Sequence, residues 1–356
     1  MKNASKDTQS AGAQQALYRA YRPQTFAEVI GQDHVVAALQ GAIEAKRVSH
    51  AYLFAGSRGI GKTSIARIFA RELKVSANDT YEIDAASNRG IDDIRELRDG
   101  VAVLPFESPY KVYILDEVHM LSKDAWNALL KTLEEPPAHV IFILATTELE
   151  KVPETVISRC QVFAFKKPSR EVIAKQIVKV GKAEGYAVDP GAADLIALLG
   201  DGAFRDALGM LEKAIGATAD SAKGAITRDA VEKLTGTPRA ALVNSLAEHI
   251  ISKDTDKALA IVAQAEESGV PMSTLALLLL EKLRFILLAQ HSPSIEAAIK
   301  GRVSPDDFDF IKAQAARKAL TVDAIAALLS AADRIGRSSV AALPLELALV
   351  EICAAK

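Results

Sequence analysis

Three observations predict an α/β domain with a doubly wound parallel sheet, followed by all-helical segments. Short apolar runs alternate with stretches of helical periodicity through the first half of the chain, as expected of strands covered on both faces. One of these runs leads directly into a glycine turn and a helix start, the local geometry that binds phosphate. Beyond about Pro168 the apolar runs cease and helical periodicity continues.

The 356 residues allow two or three domains. The net charge of −2 gives no global basic field, so contact with nucleic acid must rest on a local patch. Two cysteines far apart, Cys160 and Cys353, exclude a disulfide framework and a cysteine-rich zinc site and suit the cytosol. The most apolar run, Leu275 to Leu280, is cut by Glu281, Lys282 and Arg284 and reads as a packed helix, so no membrane span is expected.

Residues 1–16 are polar and small and are expected to form a disordered leader. Leu17 to Pro23 reads as extended chain, and Thr25 to Gln32 contains a turn at Gly31. A helix is expected from Asp33 to Lys46, then a short buried strand, Ala51-Tyr52-Leu53-Phe54-Ala55. Gly56-Ser57-Arg58-Gly59-Ile60-Gly61-Lys62-Thr63 fits G-x-x-x-x-G-K-[ST], the phosphate-binding loop of nucleotide hydrolases. A helix from Lys62 to Leu73 completes the unit, with Ile65, Ile68, Phe69 and Leu73 at helical spacing. Glycines let the backbone wrap a polyphosphate, and the N–H groups at the helix start point at the anion. The expected nucleotide contacts are therefore Gly56, Arg58, Gly59, Ile60, Gly61, Lys62, Thr63 and Ser64. Lys62 brings charge to the β- and γ-phosphates, and the Thr63 hydroxyl can ligate Mg²⁺.

Thr80 to Asp84 reads as a second strand, followed by a helix opened by Ala85 to Gly90 and running through Leu97. Lys111 to Glu117 is a continuous apolar run ending in two carboxylates. Downstream of a phosphate loop this pair resembles a Walker B motif: Asp116 to hold Mg²⁺, Glu117 to orient or deprotonate the attacking water. His119 lacks paired ligand spacing and reads as a solvent-facing or capping residue. Ser122 can cap the next helix, where Ala125, Leu129 and Leu133 share one face until Pro136-Pro137 stops it. Val140 to Leu144 is a further buried strand, and Thr147 lies at its tip, within reach of a γ-phosphate or its water. Val162 to Phe165 reads as the last strand. Taken alone, Arg159 and Arg205 read as salt-bridge residues, the latter beside Asp201 and Asp206. Ser169 to Gly236 suggests a small helical bundle with turns at Gly185, Gly200-Asp201-Gly202 and Gly216, and Pro238 opens a second helical segment.

Several strings extend this pattern: Tyr21-Arg22-Pro23, Gly31-Gln32, Asp116-Glu117-Val118-His119-Met120-Leu121, Asn127 to Pro137, Ala145-Thr146-Thr147 and Ser158-Arg159-Cys160. In this order they resemble AAA+ ATPases of the clamp-loader group, and within it the DNA polymerase III gamma/tau family. The match is strong from Leu17 to about Gly236 and rests on helical character beyond. The resemblance implies an AAA+ nucleotide-binding domain over residues 17–167, a helical lid over 168–236 and a helical collar over 237–356. It implies ATP and Mg²⁺ as cofactors. Tyr18, Arg19, Val29 and Ile30 would form the adenine-side wall, Thr147 would be sensor 1, Arg205 sensor 2, and Arg159 the arginine finger offered to a neighbouring subunit. Implied partners are other clamp-loader subunits in a five-subunit ring, a sliding clamp touched near Leu104-Pro105-Phe106, and primed DNA. The helix opened by Ser87-Asn88-Arg89-Gly90 would track the DNA phosphates without base preference.

Two departures accompany the resemblance. The bacterial family usually carries a four-cysteine zinc module after the phosphate-loop helix; here Lys74 to Asp79 fills that gap without cysteine, so no zinc is expected. A gamma-length form, without the tau-type extensions, is expected. Other readings are a catalytically idle ring member, a replication factor C-like small subunit, or an AAA+ remodeller of recombination. Intact Lys62, Thr63, Asp116 and Glu117 oppose the idle reading.

Overall fold

The computed structural model describes residues 15–88, 90–218, 224–300, 303 and 305–354. Residues 1–14 of the expected leader, and Arg89, lie outside the described residues. The chain divides into two compact units. One runs to Ile173 and includes Ala197–Glu212; the other comprises Ala174–Ile196 and the chain from Lys213 onward.

The first unit holds a five-stranded sheet: β1 Ala51–Ala55, β2 Thr80–Asp84, β3 Lys111–Asp116, β4 Val140–Thr146 and β5 Gln161–Ala164. All pairings are parallel, in the order β2-β3-β4-β1-β5. Its helices are α1 Leu17–Ala20, α2 Asp33–Glu44, α3 Lys62–Glu72, α4 Ile91–Val101, α5 Lys123–Glu134 and α6 Glu154–Ile157, with the start of α7 Arg170–Ala183. Residues 197–212 add the end of α8 Pro190–Leu199 and most of α9 Phe204–Thr218.

Strand alternation sorts the core into two layers. Tyr52 and Phe54 of β1 pack with Val35, Leu39, Ile65 and Phe69 on one face. Leu53 of β1 packs with Ile94, Leu115, Trp126, Leu129 and Phe142 on the other. Helices on both faces explain why β1, β3 and β4 read as unbroken apolar runs. Ser122 Oγ accepts the Ala125 N–H at 3.2 Å and caps α5, which ends at Glu134, just before Pro136-Pro137.

Four local expectations are corrected. Leu17 to Pro23 is not extended throughout: buried Leu17 starts the one-turn helix α1. Gly216 is not a turn but lies within α9, where helical spacing passes through it from buried Leu211 and Ala214. Strands do not cease at Pro168: in the second unit Ala187–Val188 (β6) pairs in parallel with Ala225–Ile226 (β7), segments too short to show a period. His119 is not solvent-facing, and its surroundings are described with the site.

The second unit is otherwise helical: α10 Arg228–Thr235, α11 Ala240–Ile251, α12 Thr255–Glu267, α13 Met272–His291, α14 Glu296–Lys300, α15 Pro305–Ala316, α16 Val322–Ile335 and α17 Leu343–Ala354. Helix α13 buries Leu275, Leu279, Leu283 and Ile286 against α11, α15 and α16. Lys282 interrupts that apolar face and is matched by Asp307 at 2.7 Å, itself bonded by Asn244 at 3.1 Å. Among the described residues no helix is long and apolar enough to cross a membrane.

Candidate nucleotide site at the strand ends

The loop between β1 and α3 carries its left-handed backbone at three glycines, Gly56, Gly59 and Gly61. A Cβ on Gly56 would stand 2.8 Å from the Phe165 carbonyl, so β5 and the loop approach too closely for any side chain. At Gly61 a Cβ would meet nothing within 4 Å, and the open space there adjoins the free N–H groups of the α3 start. That is the cradle a polyphosphate requires. Ile60 is buried and anchors the loop, whereas Arg58 is exposed and Ser64 half-buried.

Lys62 lies under the loop and donates to the carbonyls of Gly56 at 2.6 Å and Ser57 at 2.9 Å. Burial lowers the pKa of its ammonium, opposed by the Glu117 and Asp116 carboxylates. Thr63 Oγ1 donates to Asp116 Oδ2 at 2.6 Å, joining the two expected Mg²⁺ ligands. Such a hydroxyl–carboxylate pair at the end of a phosphate cradle has the hard oxygen donors that Mg²⁺ prefers.

Glu117 follows β3 with φ 51 and ψ 43, a left-handed conformation that costs a non-glycine residue about 1–3 kcal/mol. It turns the chain so that the carboxylate meets the tip of β4. Thr147 Oγ1 donates to Glu117 Oε2 at 3.1 Å. Both threonines at this tip are used, for Thr146 Oγ1 lies 3.1 Å from His119 Nδ1 and accepts the Glu148 N–H at 3.0 Å. The His119 side chain is only 6% exposed and sits between Glu117 and Glu148.

The start of α9 closes the loop. Phe204 N donates to the Gly59 carbonyl at 3.1 Å, and a Cβ on Gly59 would lie 2.9 Å from that of Ala203 and 3.4 Å from that of Arg205. Arg205 places its guanidinium 5.1 Å from the Tyr18 ring centre, and Arg19 lies 5.7 Å from the same ring. Asp201 pairs with Lys167 at 3.0 Å, a partner other than Arg205. The Leu17 N–H reaches Glu212 at 3.3 Å, tying α1 to α9. Val29 packs partly against the core and Ile30 is exposed.

Arg22 was not among the site residues expected. It is half-buried, and its pKa is lowered by burial and by neighbouring Arg67, Arg205 and Arg19, against Glu82. Such clustered guanidiniums favour an anion. The spacing Arg19, Arg22 within Tyr18 to Pro23 was the available signal.

Arg159 is held away from these groups. It donates to Glu134 at 2.7 Å and to the Thr155 carbonyl at 2.7 Å, partly exposed. Asn88 is engaged with Asp84 O at 3.0 Å. The loop expected to touch a clamp is exposed, Leu104 to 71% and Phe106 to 83%. Its backbone is clipped by buried Asp79, which accepts the N–H groups of Phe106, Glu107 and Ser108 at 2.6–3.0 Å. Burial alone would raise the Asp79 carboxyl; those N–H groups and the Ser108 hydroxyl hold it at about 2. Among the described residues no group of three or more His, Cys, Asp or Glu could hold a metal.

The family profile described as DNA polymerase III, delta subunit, matches residues 31–88 and 75–169. The tau subunit of DNA polymerase III from Bacillus subtilis is 42% identical, over 80% of this chain and 54% of its own length. The gamma subunit from Buchnera aphidicola is 36% identical, over 79% of this chain and 81% of its own. This chain thus spans about half the length of the tau subunits it matches. The RuvB Holliday junction branch migration motor of Thermotoga maritima shares the fold, with TM-score 0.52 and 22% identity over 65% of this chain and 79% of its own.

Proposed function

Because this chain belongs to the DNA polymerase III gamma/tau family, we propose that it is the ATPase motor subunit of a replicative clamp loader. In this reading ATP binding and hydrolysis place a sliding clamp on primed DNA within the polymerase holoenzyme. One observation carries it: Thr63 meets Asp116 at 2.6 Å while Glu117 meets Thr147 at 3.1 Å, both beside the Lys62 loop. A ring member that only supplies binding surfaces has no need of this convergence.

The N–H groups of the loop and α3 take the polyphosphate, and Lys62 exchanges two carbonyls for phosphate oxygens. Thr63 and Asp116 would hold Mg²⁺, which would neutralise charge on the polyphosphate. Glu117 aims or deprotonates the attacking water, its carboxylate held by Thr147. Tyr18, Arg19, Val29 and Ile30 wall the adenine side, and Arg205 answers the γ-phosphate. Arg159 acts on the ATP of a neighbouring subunit, where it stabilises charge built in the transition state. The cofactors are ATP and Mg²⁺, without zinc.

Residues 17–167 form the nucleotide-binding domain, 168–236 the lid, and 237–356 a collar joining a five-subunit cytoplasmic ring. Leu343, Leu347 and Val350 of α17 stand exposed beside Leu259 of α12, an apolar face suited to a neighbouring subunit. The loop around Phe106 touches the clamp. Asn88 and Arg89, which precede α4 in the sequence, follow DNA phosphates, so binding falls with salt and shows no base preference. The test is ATP turnover by the assembled complex. Joint stimulation by clamp and primer-template DNA is expected; turnover indifferent to both contradicts the reading.

A further inference from the structure

His119 is a buried imidazole for which the hydrolysis just described has no use. It comes from the turn after β3, Val118–Met120, and reaches across to the end of β4. Nδ1 stands 3.1 Å from Thr146 Oγ1 and 3.5 Å from Glu117 Oε2. Nε2 stands 3.3 Å from Glu148 Oε1. Glu148 is in turn fixed by Lys151 at 2.7 Å and by its own N–H to Thr146 at 3.0 Å. Each ring nitrogen therefore faces a carboxylate oxygen, and the far carboxylate is anchored.

Among the described residues, Thr147 is the hydrogen-bond donor to the Glu117 carboxylate. The Glu117 backbone is left-handed. A single bond leaves the carboxylate free to swing about that point. Nδ1 hydrogen-bonds with Thr146 Oγ1, and the same edge of the ring lies against that Glu117 oxygen from a different element and limits the swing.

We propose that His119 is a positioning residue for Glu117. It transmits the fixed geometry of the β4 end, through Glu148 and Thr146, to the carboxylate that aims the attacking water. The proposal rests on the reading of Glu117 as that carboxylate. Misplacing such a group by about 1 Å can cost on the order of 10²-fold in rate, while ground-state binding of nucleotide, which uses the loop and Lys62, is untouched.

The experiment is single-turnover ATP hydrolysis by the full chain in its assembled complex, with nucleotide affinity and thermal melting measured in parallel. His119→Ala is expected to lower the hydrolysis rate by roughly 10- to 100-fold, with affinity within about threefold of wild type. His119→Asn keeps a polar amide near the Nδ1 position, able to bond Thr146, and should recover much of the loss. His119→Gln places its amide near Nε2 and should recover little. In a Glu117→Gln background, His119→Ala should add no further loss, because both act through one carboxylate. Asn and Gln equal to Ala, with rates that track melting temperature, would show a packing role and overturn the proposal. His119→Ala at wild-type rate while Glu117→Gln is inactive overturns the brace alone. Glu117→Gln at wild-type rate overturns the reading of Glu117, and the brace with it.

Discussion

At the ends of β3 and β4 the polar side chains answer one another: Thr63 with Asp116, Thr147 with Glu117, His119 with Thr146. At the turn before β5, Arg159 answers, among the described residues, its own turn and Glu134. The first arrangement is buried or half-buried and is completed within the chain. The second is an exposed ion pair, a kind worth about 0–1 kcal/mol. Under the proposed function, the difference separates chemistry a protomer prepares for itself from a group it holds ready for use elsewhere. Exchanging Glu134 for a phosphate would cost Arg159 little, whereas the strand-end network is already set.

Breaking the self-contained half should have the largest effect. Glu117→Gln is expected to reduce ATP hydrolysis in the assembled complex by about 10²–10⁴-fold with nucleotide affinity preserved. Equilibrium binding and single-turnover rates check both parts. A parallel loss of affinity would mean that Glu117 supports the fold of the site.

Arg159→Ala should come next, at about 10²–10³-fold in the complex, the usual loss when one preorganised donor to a transition state is removed. Nucleotide binding by the isolated chain should not change. Its melting temperature should stay within about 4 °C of wild type, since an exposed pair contributes at most about 1 kcal/mol. Unfolding of the isolated chain would show that the pair with Glu134 is structural.

Glu134→Gln probes the same pair from its other end. It removes the resting partner of Arg159 and leaves the arginine in place. Stability should fall by no more than about 1 kcal/mol, and complex-dependent hydrolysis should be retained. Loss of hydrolysis equal to that of Arg159→Ala would mean that Glu134 positions the arginine.

The smallest effect at working pH concerns Asp79. Its carboxyl is held at about 2, below its ordinary value of 3.8, so its contribution to the Phe106 loop is present above that ordinary value. It is lost as pH falls through about 2. Amide exchange at Phe106, Glu107 and Ser108 should therefore show no loss of protection between pH 7 and pH 5. Loss of protection in that interval would mean that another group holds the loop.

Much of this was legible in the residues. β1, β3 and β4 lie within two residues of their expected positions, because strands covered on both faces write themselves as apolar runs. The Lys62 loop was legible because three glycines, a lysine and a threonine have one common use at that spacing. His119 was misread because no local pattern marks a histidine whose partners, Thr146 and Glu148, come from the next strand. Arg22 has a local signal in Arg19, three residues before it, but its other neighbours, Arg67 and Arg205, are brought to it only by α3 and α9. The pair formed by β6 and β7 was too short to register, and Gly216 was given a turn's meaning inside a helix.

In the proposed function the site is shared: Lys62 serves its own protomer and Arg159 the next. Lys62→Ala and Arg159→Ala should be combined in complexes of defined subunit order, and the ATP hydrolysed in one turnover counted. Placed on one protomer, the two substitutions should silence two sites. Placed on the two protomers that share a site, they should silence only that one. If the doubly substituted protomer silences a single site, Arg159 acts on its own nucleotide and the shared-site account is wrong.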